Sequence, residues 1–265
     1  MISPLASIHP NVQLGNNVTV DAFAVINEKV TIGDNTHIMS NVVIMPLSKI
    51  GKNCQIFPGA VIGAIPQDLK FAGEETTVEI GDFTTIRESV TINRGTKDKW
   101  KTVVGSYCLL MAYSHVAHDC TVGDHVILAN GVQLAGHVEV GDFAIIGGLC
   151  GVQQFTRIGK HAYIGGQSAI RKDVPPYVRA AREPISFIGI NVVGLHRRNF
   201  PQEEIETISQ IYHFLFVGNH GISSGINLIT ERVPDGPLKN EILDFIKNSK
   251  TGIIRRYSKN GADDY

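Results

Sequence analysis

Aliphatic side chains recur at every sixth position through most of this chain. Of the 28 positions on the six-residue grid that runs from residue 8 to residue 170, 25 are Ile, Leu or Val. This period is neither that of a helix nor that of an ordinary strand, and it is typical of a coil of short parallel strands. We therefore predict a parallel β-helix over residues 1–175. The grid fails in two segments, 66–79 and 97–103, which we expect to bulge from the coil as loops.

A second position, four residues after each aliphatic one, holds small side chains. Val, Ala, Thr and Ser predominate there, and all four cysteines occupy it: Cys54, Cys108, Cys120 and Cys150. Small inward residues in a fixed register indicate a narrow interior, so we interpret the cysteines as core residues. Glycine often follows the aliphatic residue, and we expect it to supply backbone freedom at a corner. With three sides to a turn, residues 18 apart lie on adjacent rungs, about 4.8 Å from each other.

The pattern changes after the coil. The proline pair at 175–176 ends the repeat, and Pro201 begins a segment whose apolar residues recur at helical spacing. Two further helices are predicted near residues 225–231 and 238–248. Because an open β-helix end exposes unpaired strand edges, an α-helical domain over residues 176–265 would also protect that end.

Composition narrows the classes of function. The chain has 265 residues, is 43% hydrophobic and carries a net charge of −1, so it can bury a large core and has no overall attraction for nucleic acid. No apolar stretch approaches the roughly 20 residues of a membrane-spanning helix, and the N-terminus lacks the features of a signal peptide. We expect a cytoplasmic protein without stable membrane insertion. The cysteine spacing predicts neither a disulfide scaffold nor a zinc-binding motif.

One stretch of outward positions is rich in histidine. His115 and His118 lie in the segment Ser-His-Val-Ala-His-Asp-Cys, and His137 follows one turn later. The stacking of residues 18 apart places Gly136 beside His118, and His137 beside Asp119. A histidine beside a residue without a side chain has open space and a nearby backbone N–H. Acyl transfer requires this combination, as a general base and as a donor to the oxyanion.

Two alternatives to this interpretation remain. The histidines could be solvated residues on a polar face, or they could hold zinc between subunits, as sets of three histidines do in some β-helix proteins. His125 and His161 lack comparable neighbours, and we interpret them as surface residues.

Longer motifs identify a family. They comprise Gln67-Asp68-Leu69-Lys70, Asn93-Arg94-Gly95-Thr96, His115-Val116-Ala117-His118-Asp119-Cys120, Leu134-Ala135-Gly136-His137, Asp173-Val174-Pro175-Pro176-Tyr177 and Gly189-Ile190-Asn191. With them the chain resembles, nearly end to end, the UDP-N-acetylglucosamine acyltransferases of lipid A biosynthesis. The resemblance implies that the coil is a left-handed parallel β-helix with an α-helical C-terminal domain, against the usual right-handed crossover. It also implies a bacterium of Gram-negative type and a homotrimer whose active sites lie between neighbouring coils.

The resemblance further implies transfer of a 3-hydroxyacyl chain from acyl carrier protein to the 3-hydroxyl of UDP-N-acetylglucosamine, with no metal and no bound cofactor. It makes His118 the general base, Asp119 the group that orients it, and Gly136 the oxyanion donor. The implied substrate-binding residues are Asp68, Lys70, His115 and His137 for the acyl chain and its positioning, Gln154, Asn191 and Arg198 for the nucleotide, and Arg197 with Arg198 for diphosphate or carrier protein. Gly166 matches the position that limits acyl length, and glycine there predicts a long acyl chain.

Three residues depart from the pattern of the family. Asn93 and Gln153 stand where histidine is common, and Val193 stands where some members have Glu. These departures leave open a 3-amino sugar nucleotide as the acceptor. A zinc-dependent hydratase on the same fold and a non-catalytic scaffold are the alternatives from other classes.

Overall fold

The computed structural model describes residues 1–217 and 221–256. The chain winds into a three-sided coil, in which consecutive short strands lie on consecutive sides and each pairs in parallel with the strand one turn further along. The aliphatic grid explains the register, because Val116 pairs with Leu134, 18 positions later, and the two side chains stack inside. The predicted parallel β-helix is confirmed.

Each side of the coil is one sheet. The first sheet contains β1 (Ser7–Ile8), β4 (Val25–Ile26), β7 (Val43–Ile44), β10 (Val61–Ala64), β13 (Thr91–Asn93), β16 (His115–Val116), β19 (Gln133–Leu134), β22 (Gly151–Val152) and β25 (Ala169–Ile170). The second sheet contains β2 (Gln13–Leu14), β5 (Thr31–Ile32), β8 (Ser48–Ile50), β11 (Thr77–Ile80), β14 (Lys101–Val104), β17 (Thr121–Val122), β20 (Glu139–Val140) and β23 (Arg157–Ile158). The third sheet contains β3 (Thr19–Val20), β6 (His37–Ile38), β9 (Gln55–Ile56), β12 (Thr85–Ile86), β15 (Leu109–Leu110), β18 (Ile127–Leu128), β21 (Ile145–Ile146), β24 (Tyr163–Ile164), β26 (Val178–Ala181), β27 (Ser186–Ile190) and β28 (Arg255–Arg256).

The connections between sheets form three corners, which we name after one residue on each. The His118 corner leads from the first sheet to the second, the His161 corner from the second to the third, and the Gly166 corner from the third back to the first. Two loops leave the coil, and both do so at the His118 corner. We call residues 65–76 the first loop and residues 94–100 the second loop.

The predicted loop boundaries, 66–79 and 97–103, were wrong at both ends. β11 and β14 are regular strands that pair with each other over four residues, so the coil resumes earlier than the grid indicated. The loops also begin earlier, directly after β10 and β13.

The interior confirms the interpretation of the cysteines. Cys54, Cys108, Cys120 and Cys150 are buried and free. Burial raises the pKa of the Cys120 thiol to about 12, which makes it unreactive at neutral pH.

The glycines after the strands of the second sheet have a different role from the predicted one. Gly33 and Gly141 do not have positive φ angles, whereas Asn35 and Asp119, which stand at the left-handed position of a corner, do. A Cβ atom on Gly33 would lie 2.7 Å from the carbonyl carbon of Gly51 on the next rung. Glycine therefore permits close stacking of the rungs rather than an unusual backbone conformation.

The C-terminal cap contains α1 (Val192–Arg197), α2 (Gln202–Phe216), α3 (Ile222–Arg232) and α4 (Pro237–Lys247). The last two helices lie where two helices were predicted. The proline pair does not end the coil, however: Val174 bridges to Ile158 on the second sheet, and β26 then pairs in parallel with β24 on the third. The division at residue 175 stays a prediction. Among the described residues, no helix is long and apolar enough to cross a membrane.

Candidate active site

A histidine–carboxylate pair lies at the His118 corner. Nδ1 of His118 is 2.9 Å from Oδ2 of Asp119, and the two side chains are 12% and 0% exposed. Asp119 occupies the left-handed position of the corner, with a φ of 58°, so its side chain turns back towards the preceding histidine. An ionised carboxylate accepts the Nδ1 proton, which leaves Nε2 of His118 free to accept a proton from another group.

The second loop surrounds the carboxylate of Asp119. The N–H groups of Thr96 and Lys99 donate to Oδ1 over 2.9 and 3.2 Å, and the Thr96 hydroxyl donates to Oδ2 over 2.6 Å. Burial raises the pKa of Asp119, but the hydrogen bonds from Thr96 and His118 outweigh it and hold the pKa below its ordinary value. Asp119 is therefore a stable anion within hydrogen-bond distance of the imidazole of His118.

Gly136 lies directly against the ring of His118. A Cβ atom at this position would lie 2.6 Å from Cε1 and 2.7 Å from Nε2 of His118, closer than side chains approach one another. Among the described residues, no backbone hydrogen bond uses the Gly136 N–H, although the neighbouring N–H groups of Ala135 and His137 are both bonded. The adjacency predicted from residues 18 apart is confirmed, and among the described residues a backbone donor without a backbone acceptor lies beside the ring of His118.

His137 lies between His118 and an aromatic ring. Its ring stacks on Phe155, with centroids 4.5 Å apart, and meets the ring of His118 edge-on, with centroids 5.1 Å apart. Nδ1 is 3.1 Å from Oδ2 of Asp98, in an orientation that makes no hydrogen bond, and Nε2 is 3.8 Å from Oδ2 of Asp119. Burial lowers the pKa of His137, and the negative charge of Asp119 only partly offsets this effect. A neutral ring is therefore available to donate or accept a hydrogen bond.

His115 lies on the first sheet next to the same corner. Its Nδ1 is 2.7 Å from the hydroxyl oxygen of Thr91 on the preceding rung. Burial lowers its pKa, and the proximity of His118 adds to the effect.

The remaining predicted residues of this corner are more exposed. Asp68 and Lys70 lie on the first loop, where the Lys70 N–H donates to Oδ1 of Asp68 over 2.9 Å. The Lys70 side chain and Gln154 are exposed. They are positioned to meet a molecule that approaches this corner from outside.

Other predicted residues lie at the other two corners. Asn191 donates through Nδ2 to the carbonyl of His161 over 2.9 Å, and the guanidinium carbon of Arg198 is 4.0 Å from the ring centroid of Phe143. Arg197 is exposed at the end of α1, beside Arg198, whereas Gly166 lies at the Gly166 corner against the carbonyl of Gly148. One chain therefore does not bring all the predicted residues together.

The interpretation of His161 as a surface residue was wrong. Its side chain is buried in a column of rings, stacked between Phe143 and Tyr177, and burial lowers its pKa to about 4. His125 is half-buried in the same column. These rings stand one per turn at the His161 corner, so the 18-residue stacking could have revealed them.

The alternative of a metal site would have to use the same residues. Within the described ranges, one group of candidate ligands has its atoms within 4.8 Å of one another: His118, Asp119 and His137. His115 is not part of it, so one chain does not bring the three histidines together, and a zinc site between subunits stays an alternative. The carboxylate of this group already accepts bonds from Thr96, Lys99 and His118.

A groove of about 740 Å³ lies elsewhere, between the second sheet and α4. Arg157, Lys160, Glu241 and Phe245 contribute to its walls, and none of the predicted site residues in the described chain does. Two cations of this groove already have partners, because Arg157 stacks on Phe245 and Lys160 pairs with Glu241 over 2.6 Å.

Known proteins match this chain over nearly its whole length. The family model described as "Udp N-acetylglucosamine O-acyltransferase; Domain 2" matches residues 173–254, and "Bacterial transferase hexapeptide (six repeats)" matches residues 29–64 and 101–136. A relative from Sulfurihydrogenibium sp. (strain YO3AOP1), an acyl-[acyl-carrier-protein]–UDP-N-acetylglucosamine O-acyltransferase, is 52% identical over 97% of this chain and 96% of its own. The chain belongs to this acyltransferase family.

Solved structures of the acyltransferase family agree with the fold. The crystal structure of LpxA, a UDP-N-acetylglucosamine acyltransferase from Bacteroides fragilis 9343, has a TM-score of 0.94 and 49% identity, and covers 96% of this chain and 100% of that one. LpxA from Acinetobacter baumannii has a TM-score of 0.92 and 39% identity, with 96% and 99% covered. The resemblance inferred from the motifs is confirmed, and so is the left-handed β-helix with a helical C-terminal region.

Within this acyltransferase, the first departure from the family pattern has a structural role. Asn93 is buried at the base of the first loop and donates through Nδ2 to the carbonyl of Ile65 over 3.1 Å. Gln153 and Val193 are exposed. The contacts of Thr96 and Lys99 with Asp119 were not predicted from the sequence, although Thr96 ends the Asn93–Thr96 motif. The sequence did carry one indication of these contacts. The second loop interrupts the repeat at the His118 corner, so its residues lie next to Asp119 on the following rung.

Proposed function

We propose that this chain transfers a 3-hydroxyacyl group from acyl carrier protein to the 3-hydroxyl of UDP-N-acetylglucosamine, in the first step of lipid A biosynthesis. The observation that carries the proposal is the buried His118–Asp119 pair, 2.9 Å long, with the free N–H of Gly136 beside it. The substrates named for the relatives support the choice of donor and acceptor.

His118 is the general base in this proposal. Its Nε2 removes the proton from the sugar hydroxyl as the hydroxyl oxygen bonds to the thioester carbonyl carbon. Asp119 holds Nδ1 and stabilises the imidazolium that forms. Because the carboxylate is an anion held by several donors, it can stay ionised throughout the step.

The N–H of Gly136 donates to the oxyanion of the tetrahedral intermediate. As the intermediate collapses, the carbon–sulfur bond breaks, and His118 returns its proton to the departing thiolate of the carrier protein. The step consumes no net proton and requires no cofactor, and its proton transfers use only His118, Asp119 and the backbone N–H of Gly136.

Substrate contacts follow from where the other residues lie. Asp68, Lys70, His115 and His137 are proposed to position the acyl chain and its 3-hydroxyl, and Gln154 to contact the nucleotide. These residues share the His118 corner or adjoin it.

A homotrimer would complete the site. The nucleotide residues Asn191, Arg197 and Arg198 lie beside the His161 corner, and Gly166 lies at the Gly166 corner, so both sets face away from His118 of the same chain. If a neighbouring coil packs its third sheet, which joins the His161 and Gly166 corners, against the His118 corner, both sets meet His118 between two subunits. A closed ring of three such contacts satisfies every chain equally. The cytoplasmic location stays a prediction.

The test is acyl transfer from 3-hydroxyacyl carrier proteins of graded length to UDP-N-acetylglucosamine, with the product measured by mass spectrometry. We expect an ester product, with an optimum at a long chain. No ester with any donor, together with an amide from the 3-amino sugar nucleotide, would refute the assigned acceptor. Turnover that requires stoichiometric zinc would refute the metal-free mechanism.

A further inference from the structure

The second loop directs three donors at one carboxylate. The N–H and hydroxyl of Thr96 and the N–H of Lys99 all bond to the side chain of Asp119. The backbone of Asp119 is also held, because its N–H donates to the hydroxyl oxygen of Thr102 over 2.8 Å. Asp119 is thus held through both its side chain and its backbone, and all of the residues that hold it follow β13 in the sequence.

The hydroxyl of Thr96 shares an acceptor atom with the general base. It donates to Oδ2 of Asp119 over 2.6 Å, and the same oxygen lies 2.9 Å from Nδ1 of His118. Thr96 is buried, so water cannot readily replace its hydroxyl. A donor on one side of Oδ2 fixes the direction in which the oxygen can accept the imidazole proton, and hence the orientation of the ring.

We propose that Thr96 is a positioning residue for acyl transfer, which acts by fixing Oδ2 of Asp119 so that His118 is held in its catalytic orientation. The proposal rests on the role of His118 proposed above. It also assigns a purpose to the second loop, which leaves the coil at this corner and reaches the carboxylate.

One bond within the second loop uses the Thr96 hydroxyl, which accepts the Asp98 N–H over 3.2 Å, but other bonds of the loop do not. The Gly95 N–H donates to the carbonyl of Thr77 over 3.1 Å, the Gly95 carbonyl accepts the hydroxyl of Thr76, and the Trp100 N–H donates to the carbonyl of Thr96 over 2.8 Å. All three bonds survive a change of the Thr96 side chain. Thr96→Val keeps the shape of the side chain and removes the hydroxyl with its bonds to Asp119 and to the Asp98 N–H, while the three bonds above still hold the loop.

Thr84 offers a matched control on another corner. Its buried hydroxyl accepts the N–H of Cys108 over 3.2 Å and donates to the carbonyl of Gly105 over 2.8 Å. The Thr96 hydroxyl likewise accepts one N–H, from Asp98 over 3.2 Å, and donates to one oxygen. Thr84→Val therefore removes as many hydrogen bonds as Thr96→Val does, but the acceptor it affects is a neutral carbonyl away from the His118–Asp119 pair.

The experiment compares kcat, KM and the pH profile of Thr96→Val, Thr96→Ser and Thr84→Val with the wild type. A hydrogen bond to a charged group corresponds to roughly a 10- to 100-fold effect, so we expect kcat of Thr96→Val to fall by about that factor with KM nearly unchanged. Thr96→Ser restores the donor and should recover most of the rate, and Thr84→Val should keep it.

The pH profile distinguishes positioning from a structural role. The Thr96 hydroxyl lowers the pKa of Asp119, so its removal raises that pKa, and the part of the acid limb that comes from protonation of Asp119 should move to higher pH. Wild-type kcat in Thr96→Val, or a loss of rate with an unshifted acid limb and no rescue by serine, would overturn the proposal. His118→Ala is assayed beside it. Full activity of His118→Ala would refute the proposed base itself. An inactive His118→Ala together with a fully active Thr96→Val would refute only the role of Thr96.

Discussion

Gly136→Ala tests the contact between the proposed oxyanion donor and the base. The added Cβ would lie 2.6 Å from Cε1 of His118, whereas carbon atoms in contact lie about 3.5–4.0 Å apart. The ring must therefore move by about 1 Å. Gly136 does not have a positive φ angle, so alanine fits its backbone, and the N–H remains in place. The substitution displaces the base without removing a catalytic group.

A displacement of this size has a predictable effect on the rate. A shift of about 1 Å in a catalytic group can reduce the rate about 10²-fold, so we expect kcat of Gly136→Ala to fall by about that factor. The assay is the initial rate of acyl transfer to UDP-N-acetylglucosamine, with product measured by mass spectrometry. Gly236→Ala is the control, because its Cβ would have no neighbour within 4 Å. A Gly136→Ala enzyme with kcat within about twofold of the wild type would refute this account of the contact.

Three further predictions follow from the structure. Asp119→Asn keeps the shape of the side chain but removes the anion that stabilises the imidazolium, so kcat should fall at least about 10²-fold in the same assay. Burial holds the pKa of His161 at about 4, against the ordinary value of 6.5. Between these two pH values the unfolded chain binds more protons than the folded one, so the free energy of unfolding declines as the pH falls. His161→Phe should therefore show a smaller drop in melting temperature from pH 7 to pH 5 than the wild type. A drop in melting temperature as large as that of the wild type would show that His161 does not cause the loss of stability. Gly166→Met should shorten the preferred acyl chain of the product, and an unchanged preference would refute the length-limiting role of that position.

The coil and the contact between Gly136 and His118 could be predicted because both depend on one regular spacing, whereas the pairing of His118 with Asp119 was implied by the family resemblance. Stacking of residues 18 apart is enough to place Gly136 beside His118. In the structure, a Cβ atom added to Gly136 would touch the His118 ring. Inward positions tolerate only small or aliphatic residues, so every turn of the coil repeats the same pattern of residue types in the sequence.

The surroundings of the dyad could not be predicted in the same way. Thr96 reaches Asp119 across 23 positions, a separation that belongs to no repeat and depends on how the second loop turns. The burial of His161 depends partly on Phe200, a residue of the cap whose ring meets it edge-on. Loop ends were also misplaced, because β11 and β14 resume pairing before the aliphatic grid resumes.

The central claim is that His118 is the general base, and its most direct test is the turnover of His118→Ala beside a matched histidine variant. His37 pairs with Asp21 over 2.9 Å near the N-terminal end of the coil, a pair of the same length as His118–Asp119. We predict that His118→Ala lowers kcat by about 10²–10⁴-fold with an unchanged melting temperature, while His37→Ala keeps its activity. Wild-type turnover in His118→Ala would contradict it.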